Sequence, residues 1–230
     1  MTPGQSIVRL ARLHPRLAGW WFAVIGGCLA WAIVGEDRRV WAYLVVVMVI
    51  TAITAMTDRV VGFSDAALLL LVATGCAHLA GGLLPGPDGG VLYDRWLVTD
   101  VLRYDQVVHV LGSVAATVVS WQILGTWLDL GRTPVKGQAV MAALAGLGKG
   151  AINEILEFLA AIHVPGTHVG GYTNTGWDLV FDAVGVTAAA CFLVIARVAR
   201  RTDGPQVPAA APASASRLVR AQRASRRLAG

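Results

Sequence analysis

The sequence predicts an all-α polytopic membrane protein, a bundle of about six transmembrane helices in one domain. Three observations carry this. Of the 230 residues, 56% are hydrophobic and only 14% charged, and the mean hydropathy is +0.62, far too apolar for an ordinary water-soluble domain. Six apolar runs approach the roughly 20 residues that a helix needs to cross the hydrocarbon core. The basic residues lie at the chain ends and between those runs, which suits a membrane surface better than nucleic acid despite the net charge of +5. The expected partner is therefore the lipid bilayer, with no nucleic acid. Disorder is excluded by the dominance of Leu, Val, Ala and Trp, and a disulfide framework by three cysteines, Cys28, Cys76 and Cys191, all inside apolar runs.

The elements follow in chain order. Residues 1–17 are a basic N-terminal segment carrying Arg9, Arg12 and Arg16. The transmembrane domain covers 18–198, with spans near Ala18–Val34, Val40–Met56, Ser64–Leu84, Asp105–Leu128, Gly137–His163 and Asp178–Val198. Trp20, Trp21, Trp31, Trp41, Tyr43, Trp121, Trp127 and Trp177 read as interfacial belt residues. Ile25-Gly26-Gly27-Cys28 loosely imitates a lipoprotein cleavage box. The apolar run continues past it to Val34 and five more spans follow, so the first run reads as a retained span. Residues 199–230, in which Pro, Ala and Ser lead into a block of Arg, read as a disordered basic tail and topology anchor.

Orientation follows the placement of Lys and Arg. With both termini inside, the cytoplasmic segments hold fourteen of the nineteen basic residues, the outer loops hold Arg38, Arg39, Arg95 and Arg103, and Lys149 lies within the fifth span. The expected topology is N-in and C-in, with an even number of spans.

Charges inside a span are costly and are a functional hint by default. The first two spans have no ionisable side chain beyond Cys and Tyr, and the third holds Asp65 at its start and His78. The last three carry Asp105 with His109, Glu154 with Glu157, and Asp178 with Asp182. Each pair has i, i+3 or i, i+4 spacing, which puts both side chains on one helix face. Alternating span direction then places all three pairs at one depth, the outer third of the bilayer.

Five carboxylates at close range in low dielectric must share protons, bind a cation or pair with Lys149. Each choice is a different function. A divalent metal would suit an oxygen-rich set with an imidazole, in which Asp105, His109, Asp178 and Asp182 are ligands. Glu154 and Glu157 then divide between ligand and general base, the catalytic pair of a metal-dependent site acting on a lipid or envelope precursor. In the alternative, a proton- or cation-coupled transporter uses the same carboxylates with Lys149, which shares a face with Asn153 and Glu157. In a third reading, a structural membrane subunit, the polar residues only hold helices together. His78, a lone histidine on an apolar helix, is more often a packing residue than part of such a site.

The outer loop 85–104 mixes Val91, Leu92, Trp96 and Leu97 with Asp94, Arg95, Asp100 and Arg103, as in an amphipathic segment lying on the interface. The loop 163–177 is rich in Gly and Thr and holds His163 and His168, composition suited to shaping an entrance. Gly146, Gly148 and Gly150 lie mid-span and read as close helix packing rather than a phosphate cradle. No phosphate-binding loop, zinc-protease motif or nucleophile elbow is present.

At Tyr104-Asp105 with His109, Glu154-x-x-Glu157, and Trp177-Asp178 followed by Gly185, the chain resembles the YjdF-like family of bacterial inner-membrane proteins, and more distantly the VanZ-like proteins. The resemblance implies a multi-pass protein of the bacterial cytoplasmic (inner) membrane. It lends no reaction, and the VanZ-like link to glycopeptide tolerance only hints at cell-envelope chemistry. Two departures stand out: GGYTNTG precedes Trp177 where the family tends to have an acidic residue, and Asp182 stands where a neutral residue is more usual.

Overall fold

The computed structural model describes residues 2–35, 38–128, 134–163 and 171–202. Seven helices account for most of them: α1 (Pro3–Leu13), α2 (Pro15–Gly35), α3 (Arg38–Val61), α4 (Asp65–Leu83), α5 (Tyr104–Trp127), α6 (Val135–His163) and α7 (Tyr172–Thr202). All but α1 contain a stretch long and apolar enough to cross a membrane. The chain is thus an all-α polytopic membrane protein. Its large apolar side chains face outward, with Val34 85% and Ile195 68% exposed, which is unfavourable in water and favourable in lipid. The described residues up to Ile195 form one compact unit, and the helical residues beyond it lie in a second.

The N-terminal segment is more structured than its composition suggested. Thr2 caps α1 reciprocally with Gln5: the Gln5 N–H donates to Thr2 Oγ1 at 3.3 Å and the Thr2 N–H to Gln5 Oε1 at 2.9 Å, a capping box that satisfies two otherwise orphaned donors. The helix stops at His14 because Pro15 cannot supply the next N–H and restricts the residue before it. Pro15 instead opens α2, three residues ahead of the expected span. The Arg9 guanidinium bonds Asp58 Oδ2 at 3.0 Å, and α1 packs on α3. The sequence reading ended the second span at Met56; α3 continues to Val61 and so carries Asp58, which is buried. Its other oxygen accepts the Phe63 N–H at 2.8 Å, closing the turn at Gly62, whose φ of +65° a side chain would strain. Ser64 caps α4 and exchanges two hydrogen bonds of 2.9 Å with Gln122 on α5.

The connection from α4 to α5 differs from a simple interfacial segment. Two short 3-10 turns (Pro87–Gly89 and Leu92–Asp94) lead into a hairpin of β1 (Trp96–Val98) and β2 (Leu102–Arg103), with Arg103 over the Trp96 ring at 4.5 Å. The apolar tip stays exposed, while Tyr93 turns inward onto α4. A Cβ on Gly81 would overlap its ring. The Tyr93 hydroxyl lies 2.5 Å from His78 Nδ1 and donates to the His78 carbonyl at 3.1 Å.

Burial pushes the Tyr93 phenol well above its usual 10, with Tyr43, Asp105 and Glu157 adding in the same direction. Unfolded, the phenol ionises near 10; folded, it holds its proton longer. Its contribution to stability is therefore complete below about pH 10 and lost as pH rises further. In an alkaline titration of phenolate absorbance, Tyr93→Phe is expected to remove one late-ionising group of the four tyrosines. Loss of an early one instead would place Tyr93 in water.

The sixth span, α7, begins at Tyr172, not Asp178, so Asn174 and Trp177 are helical. The expected tail beyond 202, His168 and Arg132 lie outside the described residues.

Candidate functional site

Three helix faces build the site, each a stripe of i, i+4, i+8 positions: Asp105, His109 and Ser113 on α5; Gly146, Gly150 and Glu154 on α6; Asn174, Asp178 and Asp182 on α7. Stripes of this kind face one direction. Glycines let the faces meet. A Cβ on Gly150 would overlap the Asp182 carboxylate, and one on Gly146 would collide with Thr117 and lie 2.8 Å from Val186 Cγ1. On α7, a Cβ at Gly185 would lie 2.6 Å from the Val110 carbonyl oxygen. Gly148, facing elsewhere, would meet nothing. The close-packing reading thus holds for two of the three glycines in AGLGKG.

His109 is the centre. It is buried, and its Nε2 lies 3.7 Å from Asp105 Oδ1, 3.8 Å from Glu154 Oε1 and 3.9 Å from Asp178 Oδ1. Its Nδ1 faces Asp182 Oδ1 at 3.3 Å, and that same oxygen accepts a short hydrogen bond from Ser113 Oγ. The two sides of the ring therefore differ. One nitrogen meets three carboxylates from three helices; the other is oriented by a fixed acceptor.

Neighbouring amides hold the carboxylates. Asn174 Nδ2 donates to Asp178 Oδ2 at 2.5 Å and to Asp105 Oδ2 at 3.3 Å, joining α7 to α5. Asn153 Nδ2 donates to Glu157 Oε1 at 2.6 Å. Yet both oxygens of Glu154, Oδ1 of Asp178 and Oδ2 of Asp182 are buried with no hydrogen-bond partner. Glu154 is 6% exposed, Asp178 1% and Asp182 0%. Buried carboxylate oxygens without a partner are strongly unfavourable as bare anions, so these groups call for a proton, a water or a cation.

Two ligand sets satisfy the spacing for a metal, Asp105 with His109 and Asp178, and His109 with Glu154 and Glu157; the atoms of each set lie within 4.8 Å of one another. In tetrahedral coordination at ~2.0–2.1 Å, neighbouring ligand atoms stand about 3.3–3.4 Å apart. The 3.7–3.9 Å from Nε2 to Asp105, Glu154 and Asp178 is wider than that spacing, and Glu154 belongs to a different set from Asp105 and Asp178.

The remaining expected residues fall in different places. Asp182 sits against Nδ1 and in neither ligand set. Trp177 is half exposed beside Phe181, with ring centroids 6.4 Å apart. His78 belongs to a neighbouring aromatic group, its ring 5.2 Å from Tyr43 and 5.9 Å from Tyr93. Lys149 makes no ion pair with a carboxylate among the described residues; its ammonium lies near Thr74 and Gly112. His163 bonds its own helix, its Nδ1 2.8 Å from the Leu159 carbonyl. Sequence reasoning missed Ser113, Asn174 and Tyr93. The first two were signalled by extending the 105/109 and 178/182 spacing by one more turn; Tyr93 carried no such signal.

The family described as "Predicted membrane protein (DUF2238)" matches residues 17–199, most of the chain. The chain belongs to the DUF2238 family. This is the family of the YjdF-like proteins, and the match carries nothing about VanZ-like proteins. No curated protein and no solved structure matches the chain. All of α3 to α6 and nearly all of α2 and α7 fall inside the DUF2238 match, and so do all the site residues.

Proposed function

We propose that this membrane protein holds a divalent metal ion between α5, α6 and α7, on the outer side of an N-in, C-in bundle in the bacterial inner membrane, and acts there on a lipid or envelope precursor. The observation that carries the proposal is the set of unpartnered buried carboxylate oxygens around His109. Asp105, His109 and Asp178 would hold the ion, with Glu154 on the other side of His109 Nε2. The chemistry it supplies is a bound water of lowered pKa and a polarised phosphoryl or acyl oxygen. Glu157, half-buried and steadied by Asn153, would serve as the general base beside the ion. Asp182 and Ser113 orient the His109 ring so that Nε2 faces Asp105, Glu154 and Asp178, the role an outer carboxylate would play for a metal-bound histidine.

The transporter reading relied on Lys149 as the partner of a carboxylate, and no such pair exists among the described residues. The metal reading needs no such pair.

Metal content of the detergent-purified protein, by inductively coupled plasma mass spectrometry, tests the proposal. About one equivalent of a divalent ion per chain is expected. Asp182→Asn should keep the fold yet lower metal affinity about 10–100-fold, the usual cost of losing an outer carboxylate. No metal in wild type after incubation with Mg, Mn, Zn or Fe ions would end the metal reading.

A further inference from the structure

Lys149 stands at the midpoint of α6, where an ammonium ion is expensive and calls for a partner. Lys149 is exposed as a residue, yet its head lies against α5. Nζ lies 3.0 Å from where a Cβ on Gly112 would sit, with the Thr74 methyl 3.6 Å from the same point. Gly112 is buried and three residues beyond His109 on α5, hence on the same side and about 4.5 Å further along the helix axis. The missing side chain at Gly112 is thus the space in which the ammonium rests, one turn from the carboxylates.

Lys149 makes no hydrogen bond or ion pair among the described residues, although five carboxylates lie on the adjoining helix turns. His78, on α4, lies within electrostatic range of both Lys149 and His109. Its Nδ1 side is occupied by the Tyr93 hydroxyl; its Nε2 has no hydrogen-bond partner among the described residues. An ammonium without a hydrogen-bond acceptor among the described residues therefore stands near an acidic centre that would carry a metal ion. A carboxylate-held divalent ion completes its shell with water and phosphate oxygens, and a lysine is a strong point-charge phosphate binder.

We infer that Lys149, resting over Gly112, is the anion-binding subsite of the centre, and that it takes the phosphate group of a ligand bridging from Lys149 to His109 and its carboxylates. The inference rests on the metal reading above and names its substrate class. Lys149 is an exposed residue of a membrane-spanning helix, so a phosphate-bearing lipid would reach it from the side of the bundle; a free phosphate would come through the connections at its end.

The test is calorimetric binding to the full chain in detergent with Mg present, using short-chain phosphatidic acid, the matching neutral diacylglycerol and inorganic phosphate, with metal content measured on each preparation. Wild type is expected to bind phosphatidic acid and not diacylglycerol. Lys149→Met should lose at least tenfold in that affinity while keeping its metal, and Lys149→Arg should recover part of it. Binding of inorganic phosphate with the same Lys149 dependence also supports the subsite and assigns its ligand to the aqueous side. Equal phosphatidic acid affinity in wild type and Lys149→Met, with metal present in both, overturns the inference and leaves the metal reading standing. Lys149-dependent binding in a protein that never holds metal does the reverse.

Discussion

His109→Ala is expected to empty the centre. Nε2 is the one nitrogen facing Asp105, Glu154 and Asp178, each on a different helix, so its loss leaves only oxygen ligands separated by the gap the ring had filled. The fall in metal affinity should exceed the ~10–100-fold cost of losing an outer partner, which takes metal content from about one equivalent per chain to none after dialysis. Removing the ring also leaves Asp182 without its imidazole, although Ser113 still bonds it. A moderate loss of thermal stability should accompany the loss of metal. Size-exclusion chromatography establishes that the variant remains folded. If it keeps a full equivalent of metal, the ion sits elsewhere; if neither protein holds metal and only stability drops, the cluster is a helix lock.

Gly185→Leu is expected to have the largest structural effect. A side chain at Gly185 would meet the backbone of α5, with Val110 Cα at 3.1 Å and the Val110 carbonyl oxygen closer still. A flexible neighbour could rotate away, but a helix backbone cannot, so α7 must move off α5. Overpacking of this kind costs about 1–3 kcal/mol and sometimes more. It would also carry Asp178 and Asp182 away from His109, so metal retention should fall with the thermal midpoint. Gly148→Ala is the matched control, because its Cβ meets nothing within 4 Å. A wild-type midpoint in Gly185→Leu would mean that α5 and α7 do not touch there.

Much of the candidate site was legible as pairs. Asp105 with His109 and Asp178 with Asp182 are spaced to share a helix face, and charged residues in apolar runs stand out in any reading of composition. What spacing could not supply was the division of labour within the pairs. Asp182 counted as a ligand on equal terms with Asp178, whereas it faces Nδ1 and the Ser113 hydroxyl, 69 residues away in sequence. Lys149 counted as a partner for carboxylates because it shares their face by arithmetic, yet its four-carbon stem carries the head to Gly112. Ser113 and Asn174 looked like ordinary polar residues until their helices were placed.

The sequence by itself determined the membrane character, the six apolar helices and the faces on which polar side chains fall. Those depend on hydropathy and on the 3.6-residue period, which are properties of short stretches of chain. The tertiary structure decided that α1 is a helix tied to Asp58, that Tyr93 folds inward onto His78, and that His109 becomes the meeting point of four carboxylates. Those depend on the rotation of each helix about its axis. That rotation is set by close contacts at Gly146, Gly150 and Gly185 with partners tens of residues away, and no local pattern records it.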